Sequence, residues 1–127
     1  MSADGKRFVL RNLLDGFDPA GLGEFVPLWP GVDILPLYGL LPSGEPIARD
    51  QPSAALLRYA PGAAVPLHRH PAYEQIFVLS GSQRDHGGTY GPGTCVLSPP
   101  GTEHSVSSEE GCLVLAIWNQ SVELRNG

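Results

Sequence analysis

From Val32 onward the chain reads as short apolar runs of five to ten residues separated by glycine or proline. That spacing predicts an all-β sandwich or barrel. The clearest strands are expected at Val32 to Leu41, Ala54 to Tyr59, Gln75 to Leu79, Thr94 to Ser98 and Cys112 to Trp118. Pro-Gly at 61–62 and 100–101, Gly87-Gly88 and Gly91-Pro92-Gly93 supply the fixed or positive φ that chain reversals need. No amphipathic pattern of ten or more residues interrupts these runs, which argues against a doubly wound α/β fold. The first 30 residues mix Asp, Gly and Pro with short apolar pairs such as Leu13-Leu14, and predict an arm with at most one weak helix.

Composition sharpens this picture in two ways. Gly 16 and Pro 13 make up close to a quarter of the 127 residues, yet 42% of the chain is apolar. Tight turns between strands explain the excess better than disorder, which goes with fewer core formers. The net charge of −5, with eight scattered Lys and Arg, provides no basic stripe for phosphates or an anionic bilayer. Nucleic acid and membrane partners are not expected. No apolar run reaches the ~20 residues of a membrane helix, and the N-terminus lacks a signal-peptide core, so the expected location is cytoplasmic. Cys95 and Cys112 each sit in an apolar run without CxxC spacing and are expected as small buried core residues.

Three of the four histidines and one glutamate fall at ordered spacings. Gly62 is followed by five residues, His68-Arg69-His70, three residues, Glu74, six residues and Gly81. A second frame runs Gly93, five residues, Pro99, one residue, Gly101, two residues, His104. On a strand, residues i and i+2 share a face, so His68 and His70 present both imidazoles to one side and Arg69 points outward. Glu74, after a turn at Pro71-Ala72-Tyr73, shares its parity with Ile76 and Val78 and would aim a charge at an apolar interior unless compensated. His104, arriving from a distant strand, completes a set of three nitrogens and one oxygen suited to a divalent ion. His86, in Asp85-His86-Gly87-Gly88, reads as part of a solvated turn and receives no role. Arg58, Tyr59, Tyr73, Phe77 and Trp118 could shape a pocket, but strand aromatics more often serve the core, and none is assigned to catalysis.

The two frames resemble the paired motifs of the cupin superfamily, G(X)5HXH(X)3E(X)6G and G(X)5PXG(X)2H(X)3N, departing only where Ser108 stands in place of the final Asn. Together they span about a third of the chain. A narrower resemblance, to the ChrR-like cupin group, lies in Trp29-Pro30-Gly31-Val32, Leu57-Arg58-Tyr59-Ala60-Pro61-Gly62, Val78-Leu79-Ser80-Gly81 and Asp85…Gly88…Tyr90…Gly93. It implies a single-domain RmlC-like jelly-roll β-barrel over residues 31–127, preceded by an arm over 1–30. It also implies His68, His70, Glu74 and His104 as ligands of Fe, Zn, Mn, Ni or Co, a small-molecule ligand, and a homodimer to which Phe8-Val9-Leu10 could contribute.

The resemblance leaves function with three branches. The group includes metal-dependent dioxygenases that cleave carbon–carbon bonds of diketones or hydroxy-ketones. It also includes a zinc-binding cupin domain of an anti-sigma factor, whose partner half carries its own His and CxxC zinc site. This chain lacks that site, and an intact anti-sigma factor is not expected. Isomerase or lyase chemistry on a small oxygenated compound is the third branch, because fold alone does not choose a reaction.

Overall fold

The computed structural model describes residues 7–124, and among these the apolar runs form eleven strands and no helix. In chain order they are β1 (Val26–Trp29), β2 (Val32–Tyr38), β3 (Ser53–Tyr59), β4 (Ala64–Arg69), β5 (Glu74–Gly81) and β6 (Gln83–Asp85). There follow β7 (Gly88–Tyr90), β8 (Cys95–Ser98), β9 (Glu103–Ser107), β10 (Cys112–Trp118) and β11 (Glu123–Leu124). They build two antiparallel sheets, one ordered β1-β2-β3-β10-β5-β8 and the other β11-β4-β9-β6-β7. This is an all-β, single-domain jelly roll of two sheets, the architecture the resemblance implies.

The interior between the sheets is apolar by strand parity. Ala55, Leu57 and Tyr59 of β3, Val114 and Ala116 of β10, Ile76 and Val78 of β5 and Val106 of β9 form one buried cluster. β3 is buried on both faces, because its intervening residue Leu56 belongs to a second cluster on the outside of the same sheet. There the arm folds back, and Leu10, Leu13, Phe17, Leu22 and Phe25 pack around Leu35, Leu56 and Leu79. Covering both faces of a central strand explains why SAALLRY reads as a continuous apolar run rather than an alternation. The arm's apolar pairs therefore serve its own sheet. Leu10 is engaged there, while Val9 is half exposed.

The described part of the arm forms no helix, within the expectation of at most one, and its last residues, β1, pair with β2 across a turn at Gly31, whose φ is +79°. A Cβ there would lie 2.9 Å from that of Ala63, so glycine lets the hairpin pack against the chain below. The expectation of two buried cysteines holds for Cys112 and fails for Cys95, which is exposed; both are free thiols. Cys95 opens β8, an edge strand, and its parity with exposed Leu97 turns both away from the interior. The four glycines of the two histidine frames, Gly62, Gly81, Gly93 and Gly101, all have φ between 72° and 89°. That left-handed region disfavours residues with a Cβ, so the frames' glycines mark reversals that aim the flanking strands inward.

Candidate metal centre

β4 carries His68 inward and ends one residue before His70, while β9 runs alongside with His104 directly opposite His68. His70 is held by two backbone hydrogen bonds, its N–H donating to Thr102 O and its carbonyl accepting from Gly101 N. Glu74 opens β5 in the other sheet, so the cluster closes the gap between the two layers. All four side chains are buried, and their ligand atoms lie within 4.8 Å of one another. The three imidazoles meet edge to face, with centroids 4.6 to 5.2 Å apart, so their nitrogens converge without the rings stacking.

Each imidazole is tied down at Nδ1. His68 Nδ1 donates to Pro66 O at 3.0 Å. His70 Nδ1 meets Thr102 Oγ1 at 2.9 Å, and because that hydroxyl donates its own proton to Pro99 O, it accepts from His70. His104 Nδ1 lies 3.0 Å from Asp85 Oδ2, whose other oxygen accepts from Tyr90 O–H and Gly87 N–H, each at 2.8 Å. With the proton held on Nδ1, every Nε2 presents a lone pair to the centre of the cluster.

Glu74 is fixed in the same way. Its Oε2 accepts from Trp118 Nε1 at 2.8 Å, and its Oε1 faces inward, 3.1 Å from His70 Nε2 and 3.5 Å from His104 Nε2. Glu74 Oε1 and His70 Nε2 are buried, and neither has a hydrogen-bond partner. Two buried acceptors face each other, an arrangement that is costly unless a positive charge lies between them. Burial alone would raise the Glu74 carboxyl, but the facing His104 and His70 imidazoles outweigh it and hold it well below the usual carboxylate range. Burial alone would lower His104, yet Glu74 and Asp85 raise it. His68, where burial dominates, is lowered. Three neutral nitrogens and one carboxylate oxygen around a buried point fit a divalent cation.

A cavity of about 90 Å3 adjoins the cluster on the side of His68, Glu74 and His104. Leu57, Val65, Ile76 and Val106 wall it, together with Tyr59, Gln83 and Trp118. Tyr59 is 4% exposed, and burial raises its phenol pKa far above the usual value, so the ring stays neutral.

All four side chains singled out in the sequence are thus brought together. Arg69 points outward and pairs with Glu123 at 3.3 Å. Arg58 lies outside the centre, paired with Asp33 and stacked over Phe25. Tyr73 is exposed, Phe77 belongs to the outer cluster, and His86 stays out of the cluster. Ser108 fills the place of the missing Asn, its hydroxyl donating to Ser82 O at 2.6 Å and its backbone bonding Ala63 and Gly62. Three residues that touch the donors, Asp85, Thr102 and Trp118, were not assigned from sequence. Asp85 and Tyr90 did stand out together in the stretch between the motifs, the one signal that could have found them.

Comparison with known proteins agrees with this fold. Residues 23–121 match the family described as the ChrR Cupin-like domain. The dimethylsulfoniopropionate lyase DddQ of Ruegeria pomeroyi is 29% identical over 98 residues, covering 72% of this chain and 49% of the lyase. The chain therefore spans about half the length of that relative. The anti-sigma factor ChrR of Rhodobacter sphaeroides, in the structure of its complex with SigE, superposes with a TM-score of 0.64 at 27% identity, over 78% of this chain and 51% of that one. An acetylacetone dioxygenase from Acinetobacter johnsonii shares the fold, with a TM-score of 0.68 at 14% identity over 80% of this chain and 72% of its own.

Proposed function

This chain belongs to the ChrR cupin-like family, and on that premise we propose that His68, His70, Glu74 and His104 bind one divalent metal ion and that the protein is a metal-dependent enzyme acting on a small oxygenated compound. The reaction we favour is dioxygenase-like cleavage of a compound with two neighbouring oxygens, such as a diketone or hydroxy-ketone. When bound, the ion supplies Lewis acidity and, if it is iron, manganese, nickel or cobalt, access to dioxygen chemistry.

The observation that carries this reading is the cavity against the donor cluster. A closed structural zinc site needs no adjoining space, whereas a working site keeps an open side. The residues then have separate tasks. The Nδ1 partners hold three lone pairs in place, Glu74 offsets part of the cation's charge, and the apolar walls exclude water. Tyr59, kept neutral, can donate a hydrogen bond to a substrate oxygen. A cavity of ~150 Å3 holds benzene, so about 90 Å3 admits roughly four non-hydrogen atoms without widening. Larger substrates would extend toward exposed Leu28 at its edge.

A lyase reading is favoured by the 29% identity to DddQ. Against it, Tyr59 is, among the described residues, the one titratable side chain lining the cavity outside the donor set, and its raised pKa makes it a poor base for proton abstraction. An oxygen electrode separates the readings. The iron-loaded protein is expected to consume O2 with a small chelating enol. Turnover that proceeds equally without O2 would establish a lyase or isomerase, and no turnover of any chelating substrate would leave the non-catalytic zinc module standing.

A further inference from the structure

A carboxylate can give a metal ion one oxygen or two, and the choice decides how many positions remain for other ligands. In this site the two oxygens of Glu74 have different surroundings. Oε1 faces the imidazoles without a hydrogen-bond partner, while Oε2 accepts the indole N–H of Trp118 at 2.8 Å. The indole is a donor only, so the bond has one sense. Trp118 stands directly across from Glu74 in the register between β10 and β5, and across from Ser53 on the other side. A strand paired on both edges cannot easily move its last residue, and the ring itself packs on the interior cluster and lines the cavity.

We propose that Trp118 is a positioning residue that holds Glu74 as a one-oxygen ligand, so that two positions of a six-coordinate ion stay open toward the cavity. The inference rests on the metal-binding reading above. Without the indole N–H, Oε2 loses its partner and turns toward the ion. The carboxylate then chelates, and one open position closes.

The test counts exchangeable water on Mn(II), an ion that favours octahedral oxygen-rich coordination. Wild type, Trp118→Phe and a semisynthetic chain with benzothienylalanine at 118 are loaded with Mn(II) and compared by electron spin echo spectroscopy in D2O. Benzothienylalanine keeps the shape of the indole and lacks its donor, which separates the hydrogen bond from packing. Two waters are expected in the wild type and one in each substituted chain. Two waters in all three, or one in the wild type, would overturn the proposal. One water in Trp118→Phe with two in the isostere would overturn it as well, since packing rather than the N–H would be responsible. Failure of the wild type to bind Mn(II) or any other divalent ion is a separate result that removes the metal-binding reading itself.

Discussion

Replacing Asp85 with Asn is expected to weaken metal binding through the proton it moves on His104. Asp85 and His104 side chains are 7% and 6% exposed, so their hydrogen bond is little screened by water. Oδ1 of Asp85 accepts from both Gly87 N–H and Tyr90 O–H. Asn must therefore keep its carbonyl at that position and turn its NH2 toward His104 Nδ1, where the native ring has its proton. Two donors then meet, and the ring relieves the clash by moving its proton to Nε2, the atom needed by the metal. The lost charge-assisted hydrogen bond is worth about 1.5–3 kcal/mol. At about 1.4 kcal/mol per tenfold, that is roughly a 10- to 100-fold loss of affinity, in line with outer-shell partners elsewhere. Competition titration of Zn(II) or Co(II) against a chelator reads the affinity, and long-range 1H–15N spectra of the metal-free protein read the tautomer. Asp85→Ala, which removes the partner but introduces no donor, should cost no more than Asp85→Asn despite the larger change in shape. An Asn variant that binds metal within a factor of about two of wild type, with the His104 proton still on Nδ1, would refute the reasoning.

Three further outcomes follow. In the metal-free protein Glu74 and Asp85 hold His104 above 6.5, although burial opposes them, so its contribution to stability is present below 6.5 and lost as pH climbs through the raised value. Thermal scans from pH 6.5 upward should show the metal-free Tm falling and the metal-loaded Tm rising, because ligands must shed protons to bind; parallel slopes would contradict this. With a thiol reagent, exposed Cys95 should react in the folded state, while Cys112, buried and with its thiol pKa raised, should react only on unfolding; fast labelling of both would contradict the burial. Leu56→Ala, at a residue 0% exposed beneath the arm, should cost about 2–5 kcal/mol in denaturant unfolding, and a loss below about 1 kcal/mol would show that the arm does not cover that face.

Much of the architecture was legible because it depends on parity and local turns. β10 occupies the residues of its apolar run, Cys112–Trp118, and Glu74, Ile76 and Val78 share the buried face that alternation assigns them. His68, His70 and Glu74 converge because strand periodicity and left-handed turns act within a few residues, while His104, on a distant strand, was legible through the second glycine-framed motif. What stayed hidden depends on register between distant strands. Trp118 reaches Glu74 across 44 residues and Thr102 reaches His70 across 32, separations at which no local pattern specifies a partner. Cys95 was misjudged for a related reason: an apolar run does not reveal that its strand lies at a sheet edge. The arm's contact with the outer face of β3 was equally invisible, since Leu10, Leu13 and Phe17 fall at the i, i+3, i+7 spacing of a helix that does not form, and they cover the sheet instead.

Metal stoichiometry across single-site variants tests the central claim most directly. Co(II) is titrated into wild type and into His68→Ala, His70→Ala, Glu74→Ala, His104→Ala and His86→Ala, with bound metal read by absorption and elemental analysis. One ion per chain is expected in the wild type and in His86→Ala, and much lower occupancy in the other four. Equal loss in His86→Ala and His104→Ala, or undiminished binding after removal of any of the four donors, would contradict it.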